Sequence, residues 1–437
     1  MTQKKTKLRL SLMAAAIAII SQHPASATNG YFSHGYGIVA KGMGGAATAM
    51  TQDTFGGANN PASMVWVGNR VDVGLDWFRP SRDAQRDGAA IPTLNGRSES
   101  GRTNFLIPDF GYNQMMGDDM SFGLSVYGNG GLNSSYEQGK YNCGSPSGNN
   151  MLCGSGSLGV DMMQLIIAPT LAKKINANHS IGVSLLVGYQ RFKADGLQAF
   201  NNAPGFPPFT GAPGSVSNNG YDSSTGLGVR VGYLGKITDG ITVGAAYASK
   251  MNMKAFSKYK GLFAEAGDFD IPENYNIGLV ITPDKYLSFA LDYQRISYSG
   301  VKSINNSSMP VAPLGAANGP GFGWKDVDVI KFGASYKLTE QLQVRAGYNH
   351  GSNPISAPDV TFNILAPGVI QSHTTLGATY TLSKSSEISA SYMHAPRQNV
   401  SGSSLFNGLF PAPPNAGGTE TIGMSQNSIG IAWSTKF

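Results

Sequence analysis

From residue 69 to the C-terminus the chain alternates apolar and polar positions with period two, the spacing that sends side chains to opposite faces of a β-strand. Near the end Ile429, Ile431, Trp433, Thr435 and Phe437 share one face, while Ser428, Gly430, Ala432, Ser434 and Lys436 share the other. Leu342, Val344, Ala346 and Tyr348 oppose Gln343, Arg345, Gly347 and Asn349 in the same way. Ile181, Val183, Leu185, Val187 and Tyr189 make a third apolar face, and Leu287, Phe289, Leu291 and Tyr293 a fourth. The pattern predicts fourteen strands, near 69–79, 102–112, 118–130, 160–173, 179–196, 223–236, 240–250, 271–282, 285–300, 324–338, 341–350, 369–382, 386–397 and 421–437.

The connections sort by length. Short turns at 113–117, 173–178, 236–240, 282–285, 338–341 and 382–386 alternate with long segments at 80–101, 131–159, 197–222, 251–270, 301–323, 351–368 and 398–421. An even strand count with short connections at one end and long ones at the other is the pattern of a bacterial outer-membrane barrel. Closing the sheet gives every backbone N–H a partner in hydrocarbon, which an open sheet does not. The fold class expected is therefore all-β, an antiparallel transmembrane β-barrel over 69–437, surrounded by outer-membrane lipid and lipopolysaccharide and working as a monomer.

Residues 28–68 do not follow the alternation. They are crowded with glycine and alanine, end in Asn60, Pro61 and Ala62, and read as a hatch, a plug inside the lumen. Asn60 carries both donors and an acceptor, which suits it to fasten the plug to the wall; a plain Asn-Pro turn is the competing reading. Gly42, Gly44 and Gly45 do not make a phosphate loop, since no strand precedes them and the GxGxxG spacing is absent.

Composition separates membrane from water. Charged residues are 13% of the chain, about half the roughly 25% of a soluble domain, and hydrophobic residues are 41%. The 57 glycines and the 10% aromatic content suit strands, turns and interfacial rings. The formal charge is +6, but Lys4, Lys5, Lys7 and Arg9 lie in a segment expected to be removed, which leaves +2. That excess is too small to argue for nucleic acid, and no basic stripe supports it. Residues 1–27, with a basic start, an apolar run and Ala25-Ser26-Ala27, read as a secretory signal peptide. Cys143 and Cys153 are the two cysteines, with nine residues between them in a Gly/Ser/Asn-rich loop. In an oxidising compartment they are expected to pair; two thiols or half a metal site is the alternative, and no histidine or carboxylate nearby completes a metal set.

The stretch NGYFSHGYGIVAKGMGGA at 29–46, followed by Asp53 and Asn60-Pro61-Ala62, resembles the start of the FadL/TodX (OmpP1) family of outer-membrane transporters for hydrophobic compounds. Ile271-Pro272-Glu273, GWKDVDVIKFG at 323–333 and GYNHGSNPI at 347–355 are similar to that family too, so the likeness spans nearly the whole mature chain. It implies a fourteen-stranded barrel closed by an N-terminal hatch. It also implies a route in which a ligand lands between outer loops, enters a pocket and leaves when the hatch shifts or sideways beside the third strand. Here the third strand ends in Tyr127-Gly128-Asn129-Gly130-Gly131. Gly128, Gly130 and Gly131 weaken pairing and permit a kink, or they simply begin the loop. Lys325 in GWKDVD and Arg191 or Lys193 in GYQRFK match basic positions of the family's fatty-acid members, where a carboxylate needs a cation; interfacial lysines and arginines are the alternative.

Long loops that face water rarely carry as much Phe, Leu and Met as these do. Phe200 and Phe206 lie in LQAFNNAPGFPPFTGAP, and Phe256 and Phe263 in the 251–269 loop; they are candidates for ligand capture, or else for packing of loop on loop. RPSRDAQRDG, from Arg79, reads by contrast as an ordinary solvated loop. A ten-carbon chain left in water costs roughly 8 kcal/mol, so a plugged barrel with an apolar pocket serves such a molecule where a wet pore does not. No nucleophile can be paired with His34, His350, His373 or His394, no cofactor is implied, and the chain is not expected to be an enzyme. The expected function is passive outer-membrane uptake of hydrophobic compounds. Long-chain fatty acids come first and aromatic or aliphatic hydrocarbons second; an adhesive barrel or an outer-membrane lipase is a more distant alternative.

Overall fold

The structure, a computed structural model, describes residues 29–144, 147–202, 208–309, 311–409 and 413–437. The segment read as a signal peptide, and Phe206, lie outside the described residues.

Among the described residues sixteen strands share one antiparallel sheet. Two are short appendages at the outer end, Gly96–Glu99 on the first barrel strand and Asn252–Met253 on the sixth. The other fourteen form the wall: β1 Arg70–Asp87, β2 Phe105–Met116, β3 Met120–Asn133, β4 Gly159–Lys174, β5 His179–Asp195, β6 Asp222–Thr238 and β7 Ile241–Ala248, then β8 Asn274–Ile281, β9 Leu287–Ile296, β10 Val327–Lys337, β11 Leu342–Gly351, β12 Ser372–Thr381, β13 Ser386–Ser403 and β14 Thr419–Lys436. Pairing of β14 with β1, from Arg70↔Lys436 to Asp87↔Thr419, closes the barrel and leaves no free edge there.

Alternation sets the two faces. Ile429, Ile431 and Trp433 are exposed toward lipid, and Ser428, Gly430, Ala432 and Ser434 between them are buried toward the lumen. The same holds around the wall, where Leu75, Ile181, Ile277, Phe332 and Leu376 point out while Asp76, Ser180, Asn276, Lys331 and Thr375 point in.

The outer part of the wall differs from expectation. Residues 80–87, read as a solvated loop, continue β1 and pair residue for residue with 419–426 of β14. Pro80, which has no N–H to give, stands beyond Phe78↔Phe105, the last β1–β2 pair on that side. Arg82 and Arg86, both in that polar stretch, consequently face inward and are buried. The pairing partner is more than three hundred residues away, so local pattern gives no hint of it.

Inside the wall, residues 29–66 fill the lower lumen. A one-turn helix, Ile38–Lys41, and a 3-10 helix, Pro61–Trp66, are its regular pieces. The segment is held by inward polar side chains from around the wall: Lys41 pairs with Asp76 on β1, Thr54 donates N–H and hydroxyl to Asp72 on the same strand, and Gly44 N–H donates to Thr375 on β12. Asp292 on β9 accepts three bonds, from the N–H groups of Ala47 and Thr48, each 2.9 Å, and from the Thr48 hydroxyl at 2.7 Å. Above this, the long loops fold over the mouth and merge with the upper wall into one large apolar core.

Candidate ligand site

The outer core contains a pocket lined by Val160, Phe192, Leu197, Phe200, Phe263 and Phe362, among others. Phe192 comes from the inward face of β5; the rest come from β4 and four loops. The only polar side chain among the described lining residues is Ser303, whose hydroxyl is already committed to the Asp268 carbonyl. Free volume between the side chains is about 30 Å³, room for roughly two waters. The pocket is narrow and almost wholly apolar.

A file of rings leads down from it. Phe192 and Phe263 are 4.7 Å apart, Phe263 and Phe269 4.9 Å, Phe269 and Tyr31 6.1 Å, and Tyr31 and Trp324 6.0 Å between centroids. Tyr298 stands edge-on to Trp324 at 5.2 Å and locks the start of the N-terminal segment: its hydroxyl donates to the Asn29 carbonyl at 2.6 Å and accepts from Tyr31 N–H at 3.1 Å. Burial pushes the phenols of Tyr31 and Tyr298 well up, so both remain neutral donors in this apolar setting. The file therefore ends on the N-terminal segment itself.

Beside that end the wall is incomplete. Pairing between β2 and β3 stops at Phe110↔Val126, so residues 127–133 of β3 do not pair with β2, and Pro108 sits on the facing edge. The register of β3 against β4 shifts between Gly128 and Gly130, a bulge at Asn129. The vacant edge is taken by the N-terminal segment: Ser33 N–H donates to the Asn129 carbonyl at 3.1 Å and Gly131 N–H to the Tyr31 carbonyl at 3.3 Å. A Cβ on Gly130 would lie 1.8 Å from the Tyr31 carbonyl oxygen, so only glycine lets the two backbones meet. Gly128, Gly130 and Gly131 thus lie within the strand, at its bulge, rather than starting a loop.

The other candidate residues are placed as follows. Phe200 and Phe263 line the pocket, and Phe256 packs behind it, 5.6 Å from Phe192. Asn60 caps the Pro61–Trp66 turn through Ala62 N–H and donates to the carbonyls of Thr48 at 2.7 Å and of Tyr233 on β6 at 2.8 Å. Pro61 and Ala62 are buried against Gly182 of β5. Cys143 and Cys153 form a disulfide in the second long loop. The three basic candidates do not meet the pocket. Arg191 lies 4.1 Å over the Tyr221 ring and Lys193 5.4 Å from it, on the outward parity of β5, and Lys193 is paired with Asp195. Lys325 is exposed, because the irregular chain before β10 turns the neighbouring Trp324 inward instead. Phe192 was not among the candidates, although a large apolar side chain on a face of Gly182, Ser184, Gly188 and Gln190 is a signal that parity alone supplies. Among the described residues no group of three or more His, Cys, Asp or Glu could hold a metal.

No curated protein sequence matches the chain. Among solved structures, the toluene transporter TodX of Pseudomonas putida superposes with a TM-score of 0.68 at 18% identity, covering 92% of this chain and 99% of that one. A FadL homologue of Pseudomonas aeruginosa gives 0.67 at 15% identity over 93% and 100% of the two chains. The toluene transporter TbuX of Ralstonia pickettii gives 0.62 at 16% over 92% and 99%. At these identities the likeness establishes the fold, a closed fourteen-stranded barrel. The family model described as outer membrane protein transport protein (OMPP1/FadL/TodX) matches residues 16–405. The chain belongs to that family of outer-membrane transport channels for hydrophobic compounds, which are not enzymes.

Proposed function

We propose that the channel takes up long-chain fatty acids passively, from the outer face to the lipid or periplasm within. The observation that carries this reading is the narrow apolar pocket, with a file of packed rings running from it to the segment that fills the gap beside β3. A long alkyl chain gains about 0.8 kcal/mol for each methylene it removes from water, and a slender apolar path offers that gain over its whole length. Residues 29–33, which meet the open edge of β3 through backbone bonds, are the element whose displacement opens it.

A second reading is uptake of a neutral hydrocarbon. It is favoured by the absence of a cation among the described residues of the pocket, and TodX and TbuX, which share the fold, are toluene transporters. Uptake of a labelled long-chain fatty acid, a monoaromatic hydrocarbon and a small sugar by deletion cells and complemented cells separates the two. Restoration of the fatty acid alone supports the first reading, and of the aromatic alone the second. Restoration of the sugar alone would show that the lumen is not sealed and would end both.

A further inference from the structure

β1 carries three inward arginines that are buried, and two of them have carboxylate partners. Arg70 is paired with Asp72 and with Glu387, and Arg86 with Glu420, completed by the carbonyls of Met151 and Leu94. Arg82, between them, has none among the described residues. It is 3% exposed, one of its nitrogens donates to the Arg102 carbonyl at 2.9 Å, and Nη2 has no partner among the described residues. The adjacent Asp83 is on the other side of the strand and is taken by Arg97 and Arg397.

The surroundings of Arg82 are apolar and aromatic. Its guanidinium lies 5.7 Å from the centre of the Phe105 ring, which is 6.3 Å from that of Phe78, and Ser100, whose N–H donates to the Arg82 carbonyl at 2.8 Å, forms a β-bridge with Tyr136. Tyr136, fully buried, has a hydroxyl with no partner among the described residues. Burial pushes that phenol up against the pull of the Arg82 charge, so it stays a neutral donor close to a cation. A buried charge held by one carbonyl and one weak ring contact is poorly compensated. What the pair lacks is an anion.

We infer that Arg82 and Tyr136 form a binding station for the carboxylate of an amphiphile whose tail lies among the neighbouring rings. The position fits a route through the wall. Phe105 pairs with Phe78 where β2 and β3 no longer pair, and Arg82 is four residues further out on the same face of β1, roughly 13 Å above the gap's rim. A head group at Arg82 leaves an alkyl chain pointing at the opening. The inference rests on the fatty-acid reading and gives it the cation that Arg191, Lys193 and Lys325 do not supply.

The test compares the purified full chain with Arg82→Gln and Tyr136→Phe, measuring binding of a long-chain carboxylate, of the alcohol of the same chain length and of acetate. A charge-assisted bond supports a loss on the order of tenfold in the ratio of carboxylate to alcohol affinity for Arg82→Gln, and about threefold for Tyr136→Phe. Thermal unfolding without ligand gives an independent readout: Arg82→Gln removes a poorly compensated charge and should melt higher than the wild type. An unchanged affinity ratio in Arg82→Gln, or a lower melting point, would overturn the inference. Acetate protecting the wild type as well as the long carboxylate would show a site for small anions instead and would overturn the amphiphile. Wild-type protein that binds the alcohol but not the carboxylate defeats this station alone, whereas binding of neither defeats the transport reading with it.

Discussion

The lower and upper halves of the lumen are built from opposite chemistry. Below, a glycine-rich segment is fastened to a polar wall by directional bonds: Asp72, Asp76, Asp292 and Thr375 each hold a named group of residues 41–54, and the Asn60 amide donates to the Tyr233 carbonyl of the wall. Above, loops and wall meet through Phe, Leu, Met and Ile with few polar contacts in the pocket. Directional bonds specify one arrangement and seal it against water. Apolar contacts are non-directional, so side chains can part around a cargo and close again at little cost in specific bonds. Under the proposed function, sealing falls to the lower half and capture to the upper.

The largest effect should come from removing the seal outright. Deleting residues 29–66 empties the lower lumen and exposes Asp72, Asp76 and Asp292 to water. The expected outcome is a steady ion conductance in planar bilayers, with entry of a small sugar into cells. A barrel that stays closed would mean the loops alone seal the channel and would erase the contrast between halves.

Next in size is Phe263→Ala in the upper half. Phe263 touches Phe192, Phe256 and Phe269, so truncation opens a hole at the head of the aromatic file. Losses of about 3 to 5 kcal/mol accompany buried Phe→Ala changes, here borne by the loops rather than the strands. Affinity for an apolar ligand should fall at least tenfold by fluorescence or calorimetric titration while conductance stays closed. Unchanged affinity would place the cargo elsewhere.

Asp292→Ala is the matching change below. It leaves two backbone N–H groups and the Thr48 hydroxyl without their acceptor, at about 1 to 3 kcal/mol for each group that water does not reach. A smaller, flickering conductance is expected, with ligand affinity unaltered. If affinity falls as much as in Phe263→Ala, the halves are energetically one unit.

How much of this was legible follows the same division. The fourteen strands and the sorting of their connections could be read because period two is local: Ile429, Ile431 and Trp433 declare their face without knowledge of any partner. The lower segment was recognisable as the part that breaks the period. What stayed hidden depended on distant partners. Residues 80–87 look like a solvated loop until 419–426 lie beside them, and Arg82 and Arg86 then turn from surface charges into buried ones. Phe200 and Phe263 stood out as aromatic residues in loops, whereas Lys325 was drawn from likeness to a motif whose neighbour, Trp324, is the residue that faces in. In an irregular connection parity fails, and one step along the chain exchanges an exposed ammonium for a buried indole.

Lys325 supplies the smallest expected effect. Its side chain is exposed, and its backbone N–H is held by the Pro354 carbonyl at 3.0 Å, so replacement with alanine removes a hydrated charge without disturbing the loop. Exposed charges attract a distant carboxylate weakly through water and salt, and the expected change in fatty-acid affinity is less than about twofold. The comparison with Arg82→Gln is then decisive: the same unit of charge is removed from the same protein, once from water and once from among aromatic rings. A tenfold loss at Lys325 with none at Arg82 would mean that the loop before β10 turns inward around a bound cargo. The head group would then be held within the capture half, and not at the rim of the gap.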